Sequence, residues 1–447
     1  MKKGMFFALA ASSLLFSACS SDDAVVSTEG QNEAVQQIVL QVASSGDGLT
    51  TRAGRPLYSS EALQTIQNVR VVIYNADTKE IVKDATQDWT KSTTYNNHGH
   101  GRQFTLTFKG NDRLEKGNYK VMAVGYSNES DYEYSLNATS AVGLTYNDIT
   151  ATLKAGKKEA EEVFAGDADL KIGDDKKITN LTSGEENGVA VTLHRQVAGS
   201  FGYFQNIPAS VNGKAAATLR LVVRDKNDVL TFNNFNSSFT ANGATGSTIK
   251  YYVNGSKSTS VATADAKFNN NEDGYVLYSI NLSKWFTEGD KNKDGLLNAE
   301  DTWQHPSSVN TQVVKGSVFG SNFVIPFNYA KGKSTMELQL LDAENNIIKT
   351  WTVSIPKDDV NTDTANGVTD ASTSIFNVVR NHMYNLGVKT SNGTKPDPSN
   401  PDPKPTDPDP DKPKPGTDEP EDLSKSQNLI LKVNDNWEAI HKMELGD

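Results

Sequence analysis

The chain is poor in the residues that most often announce chemistry. One of its 447 residues is a cysteine, Cys19, which excludes an intramolecular disulfide and a thiolate zinc site. Basic residues are in deficit. Lys and Arg number 44 against 55 Asp and Glu, a formal charge of −11, and this balance argues against a nucleic-acid partner. Long helical patterns are few. No Gly-rich phosphate loop follows a strand, and no Ser/His/Asp set is recognisable, so no catalytic residue or catalytic cofactor is assigned and no enzyme is expected. His98 and His100, in NNHGHGR, read as turn residues; His194, His305, His382 and His441 are scattered.

The cysteine has a place of its own. Lys2 and Lys3 precede an apolar run from Met5 to Phe16, too short to span a bilayer as a mature helix. Leu15-Phe16-Ser17-Ala18 then leads into Cys19. This is similar to a bacterial lipoprotein signal: residues 1–18 are expected to be removed and Cys19 to be lipidated. Phe16 stands where Leu is preferred. An ordinary signal peptide with an incidental cysteine is the plainer alternative.

What remains is rich in Thr, Val, Asn, Gly and Tyr, a composition that suits β-structure. QQIVLQV (36–42) alternates, with Ile38, Leu40 and Val42 on one face, and reads as a half-buried strand. A loop of small residues, SSGDGLTTRAGRP (44–56), carries Arg52 and Arg55 where proteases cut most easily. Strands are expected at 69–75, 102–110, 118–128, 189–206, 217–225, 273–282 and 382–390. Asn254-Gly255 marks a tight hairpin within 249–262, and 336–356 is a longer hairpin turning near 344–346. Short strands in series predict all-β sandwiches, two of them: 53–188 and 189–390.

Residues 391–425 are a Pro- and Asp-rich linker, expected to be extended, about 25 of its residues reaching on the order of 75 Å at about 3.1 Å per residue. It ends in a short segment, 426–447, too small for a core of its own. QNLILKV (427–433) matches QQIVLQV position by position, so Leu429, Leu431 and Val433 follow the pattern of Ile38, Leu40 and Val42. Two segments with one pattern suit one groove. If the first strand, within 19–52, leaves after a cut at Arg52 or Arg55, the opened edge and slot invite the tail of another subunit by strand addition. Chance similarity, with the tail folding back on its own chain, is the alternative. Trp351 and Trp437 read as packing anchors.

One loop stands apart, GDKNKDGLLNAED at 289–301. Asp290, Asn292, Asp294, Leu296 (by its carbonyl), Asn298 and Asp301 fall at the six ligand positions of an EF-hand-type loop, with Gly295 at the turn. The expected occupant is a structural Ca2+. Asp301 replaces the usual Glu, and the alternative is a polar surface loop.

The lipobox, LTTRAG (49–54), EEVFAGDAD (161–169), VTLHRQVAGSFGYFQNIP (191–208) and VVRNHMYNLGV (378–388) stand in an order that resembles the fimbrillins, type V pilus subunits of Bacteroides-like bacteria. Ser20-Ser21-Asp22-Asp23 resembles the acidic tag that directs lipoproteins of such bacteria to the outer surface. The linker with a strand ending WEAIHKMEL looks like the stalk subunit of the shorter fimbria. The resemblance implies two transthyretin-like Greek-key β-sandwich domains and export as an outer-membrane lipoprotein precursor. It also implies cleavage by a trypsin-like, Arg-specific protease between Arg52 and Ala53, and assembly with copies of itself and related pilus subunits into a surface fimbrium. The donor strand would run from Gln427 to Trp437. Alternatives are a pilus tip adhesin, an anchor subunit, or a surface glycan-binding lipoprotein.

Overall fold

The computed structural model describes residues 35–43, 66–95, 101–128, 130–136, 141–183, 185–233, 235, 253–258, 263–269, 271–309, 313–327, 336–354, 378, 380, 383–387, 419–425, 428–430 and 432–434. It is all-β, with strands gathered into two sandwiches and a small sheet between them.

The first sandwich is one eight-stranded sheet folded over on itself. Its strands lie in the order 81–88, 68–75, 117–126, 164–172, 188–195, 36–43, 101–108, 93–95. The fold-over falls in Gly188–Arg195. Its Gly188–Leu193 portion pairs in parallel with Gln37–Val42, whereas His194 and Arg195 pair with Ala165 and Phe164. Gly166 permits this corner, because a Cβ there would lie 2.0 Å from the Thr192 carbonyl oxygen. Ile38, Leu40, Leu106, Val189, Val191 and Leu193 meet Val69, Val71, Ile73, Val121 and Phe164 in the core between the halves.

VRVVIYN carries apolar residues at both parities, and the structure gives both a use. Side chains alternate across a strand. Val69, Val71 and Ile73 enter the sandwich core, while Val72 and Tyr74, with Met122 and Val124, face a second core. That core is roofed by a four-stranded sheet in the order 255–256, 229–232, 149–153, 132–134. Each sandwich contributes an excursion to it. Strands buried on both faces lose alternation and read as continuous apolar runs.

The second sandwich packs a sheet in the order 317–324, 198–205, 383–386, 432–434 against one in the order 266–268, 272–281, 218–223, 336–341, 347–354, 428–430. The expected hairpin at 336–356 is present, turning through Asn345 at φ +64°. Trp351 is buried in this core.

Two expectations need correction. The crossing between sandwiches lies at Gln196–Val197, past residue 188, because the 188–195 strand belongs to the first sheet. Asn254-Gly255 does not turn a hairpin. Gly255 pairs with Leu230, and a Cβ on it would lie 1.9 Å from the Pro326 carbonyl oxygen. Asn254 is buried and donates from Nδ2 to the Gln196 carbonyl at 3.1 Å. Close packing at the junction, rather than a turn, is what this pair serves.

The sequence signatures meet at the same junction. Gln196 Nε2 donates to the His194 carbonyl at 2.8 Å, and its Oε1 accepts from Arg380 Nη1 at 3.1 Å. Arg380 also donates to the Asn233 carbonyl at 2.8 Å. The adjacent Arg195 forms a fully buried ion pair with Glu162 and lies over the Phe164 ring. Arg195 and Gln196 of HRQ, Glu162 and Phe164 of EEVF, and Arg380 of VVRN are therefore parts of one buried polar junction.

Candidate functional site

The N-terminal strand, Gln36–Ala43, occupies an interior slot of the first sandwich. It pairs antiparallel with Gly101–Phe108 on one side, Gln36 opposite Phe108 and Ala43 opposite Gly101, and in parallel with Gly188–Leu193 on the other. The 93–95 and 101–108 strands join the sheet ladder through this strand alone among the described residues. Ile38 is 1 % exposed and Leu40 0 %, and both sit in the sandwich core; Val39 is buried on the opposite face. Burial of three such side chains contributes about 1.5–3 kcal/mol each.

Gln36 fixes the start of the strand and is itself buried. Its Nε2 donates to the Leu114 carbonyl at 2.9 Å and to the Lys176 carbonyl at 2.8 Å, while its Oε1 accepts from the Leu114 amide at 2.8 Å. One side-chain amide thus closes three backbone groups from two separate loops. The main-chain amide of Gln37 adds a bond to the Asn187 carbonyl at 3.0 Å. Sequence reasoning singled out the apolar residues of this strand and passed over Gln36, because no pattern distinguishes a buried glutamine from a solvated one.

The tail lies elsewhere. Asn428–Ile430 pair in parallel with Thr352–Ser354, and Lys432–Asn434 pair antiparallel with Met383–Asn385. These are the outer positions of the two sheets of the second sandwich. Leu429 is 0 % exposed, within that sandwich's core. The tail therefore folds back on its own chain, as an apolar strand beside open sheet edges does.

The chain on either side of residues 388–418 also comes together. A Cβ on Gly387 would lie 3.1 Å from the Glu421 amide nitrogen and 3.2 Å from the Glu419 carbonyl oxygen. The chain returns at 419 to where it left at 387, so the linker adds no reach to the tail. Glu421 and Asp422 pair with Phe204 and Gln205, and Leu423 is buried. The Asp422 carboxylate accepts from Ser424 Oγ at 2.6 Å, Asn206 Nδ2 at 3.0 Å and Lys425 Nζ at 3.0 Å. Burial works against its ionisation, yet these bonds prevail and hold it down at about 2.

The 289–301 loop is compact. Gly295 has φ +87°, and its amide donates to Asp290 Oδ2 at 2.9 Å. Asp294 Oδ1 accepts from the Leu296 amide at 2.8 Å and Oδ2 from Asn298 Nδ2 at 2.7 Å; these bonds lower the Asp294 pKa. Asp301 is buried, and its two oxygens accept from the amides of Lys291 at 2.9 Å and Asn298 at 3.0 Å. Asp290 Oδ1 is buried without a hydrogen-bond partner, which suits a cation. Against that, among the described residues no three His, Cys, Asp or Glu side chains converge as a metal group. The loop is anchored below, where Leu296 and Leu297 pair with Pro208 and Ile207.

Cys19, Arg52, Ala53, Leu431 and Trp437 lie outside the described residues, as do the side chains of Val42 and Val433. No helix among the described residues is long and apolar enough to cross a membrane.

No family model matches the chain, and no curated protein matches it. Solved structures do. The fimbrial assembly protein from Parabacteroides distasonis ATCC 8503 is similar at 14 % identity over 81 % of this chain and 94 % of that one, with a TM-score of 0.33. The fimbrial anchor protein Mfa2 from Porphyromonas gingivalis is similar at 11 % identity over 79 % and 90 %, with a TM-score of 0.32. The tip fimbrial protein Mfa3 from the same organism is similar at 8 % identity over 80 % and 96 %, with a TM-score of 0.31. These TM-scores are too low to carry an argument about what this chain does.

Proposed function

We propose that this protein is a structural subunit of a cell-surface fimbria, exported as a lipoprotein on Cys19, cut after Arg52 and assembled by strand exchange between copies. One observation carries the reading: an eight-residue strand fills an interior slot, and the tail repeats the pattern of seven of its residues in the same order. Removal of the strand would leave two ladder edges and an apolar channel open to water, a state that recruits another strand. The tail's place on its own second sandwich is a pair of three-residue strands, each laddered on one side. The slot offers a strand laddered on both sides, over eight residues against 101–108 and over six against 188–193. Exchange therefore runs toward more backbone pairing, and the tail serves its own fold until a neighbour's slot opens.

Partners on this reading are further copies and related pilus subunits, an Arg-specific protease, and the outer membrane before cleavage. The test is trypsin digestion of the purified precursor. Cleavage near Arg52 should yield SDS-resistant ladders. A protein clipped there that stays monomeric, with deletion of 426–447 changing nothing, would sink the reading.

For the 289–301 loop we propose a structural Ca2+ site in which Asp290 is the principal side-chain ligand. The unpartnered Asp290 Oδ1 supports it.

A further inference from the structure

We propose that Gln427 sets the register in which the tail enters a neighbour's slot, by taking over the three hydrogen bonds of Gln36. The inference rests on the strand-exchange reading above.

Alternation alone cannot define register here. A slip of two residues restores the same face, so apolar residues still point inward. Something aperiodic must distinguish one even register from the next. In the slot, that element is the buried Gln36 amide, which satisfies the Leu114 carbonyl, the Leu114 amide and the Lys176 carbonyl together. The end of the slot thus demands two donors and one acceptor from a single side chain.

The tail offers one residue of that kind in the matching place. Aligning QNLILKV with QQIVLQV sets Gln427 on Gln36, Asn428 on Gln37 and Leu429 on Ile38. Gln427 lies outside the described residues, and the sequence match alone assigns it. A slip of two in one direction brings Leu429 to the Gln36 position and strips all three backbone groups of partners. The opposite slip brings Lys425 there. An ammonium can donate to both carbonyls but leaves the Leu114 amide without an acceptor, and it must shed its water. Only Gln427 meets all three groups while the apolar residues keep their face.

The occupant is a second copy rather than the same chain. Residues 419–425 are anchored on the second sandwich, through Asp422 to Asn206 and through buried Leu423. The slot belongs to the first.

Register can be read by cross-linking in the full-length precursor carrying Cys19→Ser. Gln37 stands opposite Thr107, so the proposed register sets Asn428 of one copy opposite Thr107 of the next. Cα separations for such pairs, about 4.5–5.5 Å, suit a disulfide. After trypsin cleavage, Asn428→Cys with Thr107→Cys should give oxidised ladders. Adding Gln427→Leu should lower the yield of this cross-link at least fivefold and make the ladders dissociate at lower temperature in SDS. Unchanged yield and heat resistance with Gln427→Leu would overturn the register role while leaving strand exchange standing. Failure of the otherwise unsubstituted precursor to form ladders would overturn both.

Discussion

Gln36 and Leu114 hold each other from both ends: the side-chain amide donates to the Leu114 carbonyl at 2.9 Å, and its oxygen accepts from the Leu114 amide at 2.8 Å. This reciprocal pair ties the start of the N-terminal strand to a loop distant in sequence. Gln36→Ala leaves the buried Leu114 carbonyl and amide and the part-buried Lys176 carbonyl unmet in the precursor. An unsatisfied buried group costs about 1–3 kcal/mol, and some relief by water is expected. Denaturant unfolding should show a loss of about 2–4 kcal/mol, with amide exchange of 101–108 accelerating first. A loss below about 0.5 kcal/mol would show the pair to be incidental.

Leu40 and Leu429 carry one sequence pattern but stabilise different sandwiches. Leu40→Ala should destabilise the first sandwich by about 2–5 kcal/mol. Leu429→Ala in the uncut precursor should instead loosen the edges at 352–354 and 383–385. Hydrogen exchange resolved by peptide separates the two outcomes. Loss of protection in the first sandwich from Leu429→Ala would contradict the tail's place.

Asp422 should make the tail anchor sensitive to acid. Its folded pKa, about 2, is depressed from an unfolded value near 3.9. A depressed acid contributes stability above its unfolded pKa, so the anchor is at full strength above about pH 4 and weakens as pH falls toward 2. The contribution stays below about 2.6 kcal/mol, the value the full shift would give, because solvent screens the partly exposed carboxylate. Protection of the Leu423 amide, which donates to the Gln205 carbonyl, reports on it. Asp422→Asn should show reduced protection at neutral pH and a flatter acid response.

Calorimetry of the precursor with CaCl2 tests the 289–301 loop. Binding heat is expected, abolished by Asp290→Ala. Absence of heat in the unsubstituted protein would leave Asp301 as the loop's organiser, through the amides it already accepts.

The strand QQIVLQV was legible because one face alternates cleanly. Its neighbours were not, since alternation says which face is buried and nothing about which strand lies alongside. The parallel pairing with 188–193 joins residues far apart in the chain. The small sheet at the junction was missed for a related reason. Leu230 and Phe232 have strand character, but their partners at 149–152 come from the other sandwich. Asn254-Gly255 misled because the same dipeptide that suits a tight turn also suits close packing beneath Pro326. At the slot, Ile38 and Leu40 were readable as apolar residues in register, whereas the role of Gln36 depends on loops that only the fold brings to it.

Refilling of a cleavage-emptied slot by another copy's tail can be watched by mixing two variants. One is an acceptor ending at Lys425 and cut by trypsin; the other is a donor carrying Arg52→Ala and Arg55→Ala with its tail intact. Strand exchange predicts an SDS-resistant heterodimer that forms only after the acceptor is cut. No heterodimer, or equal yield with uncut acceptor, would contradict it.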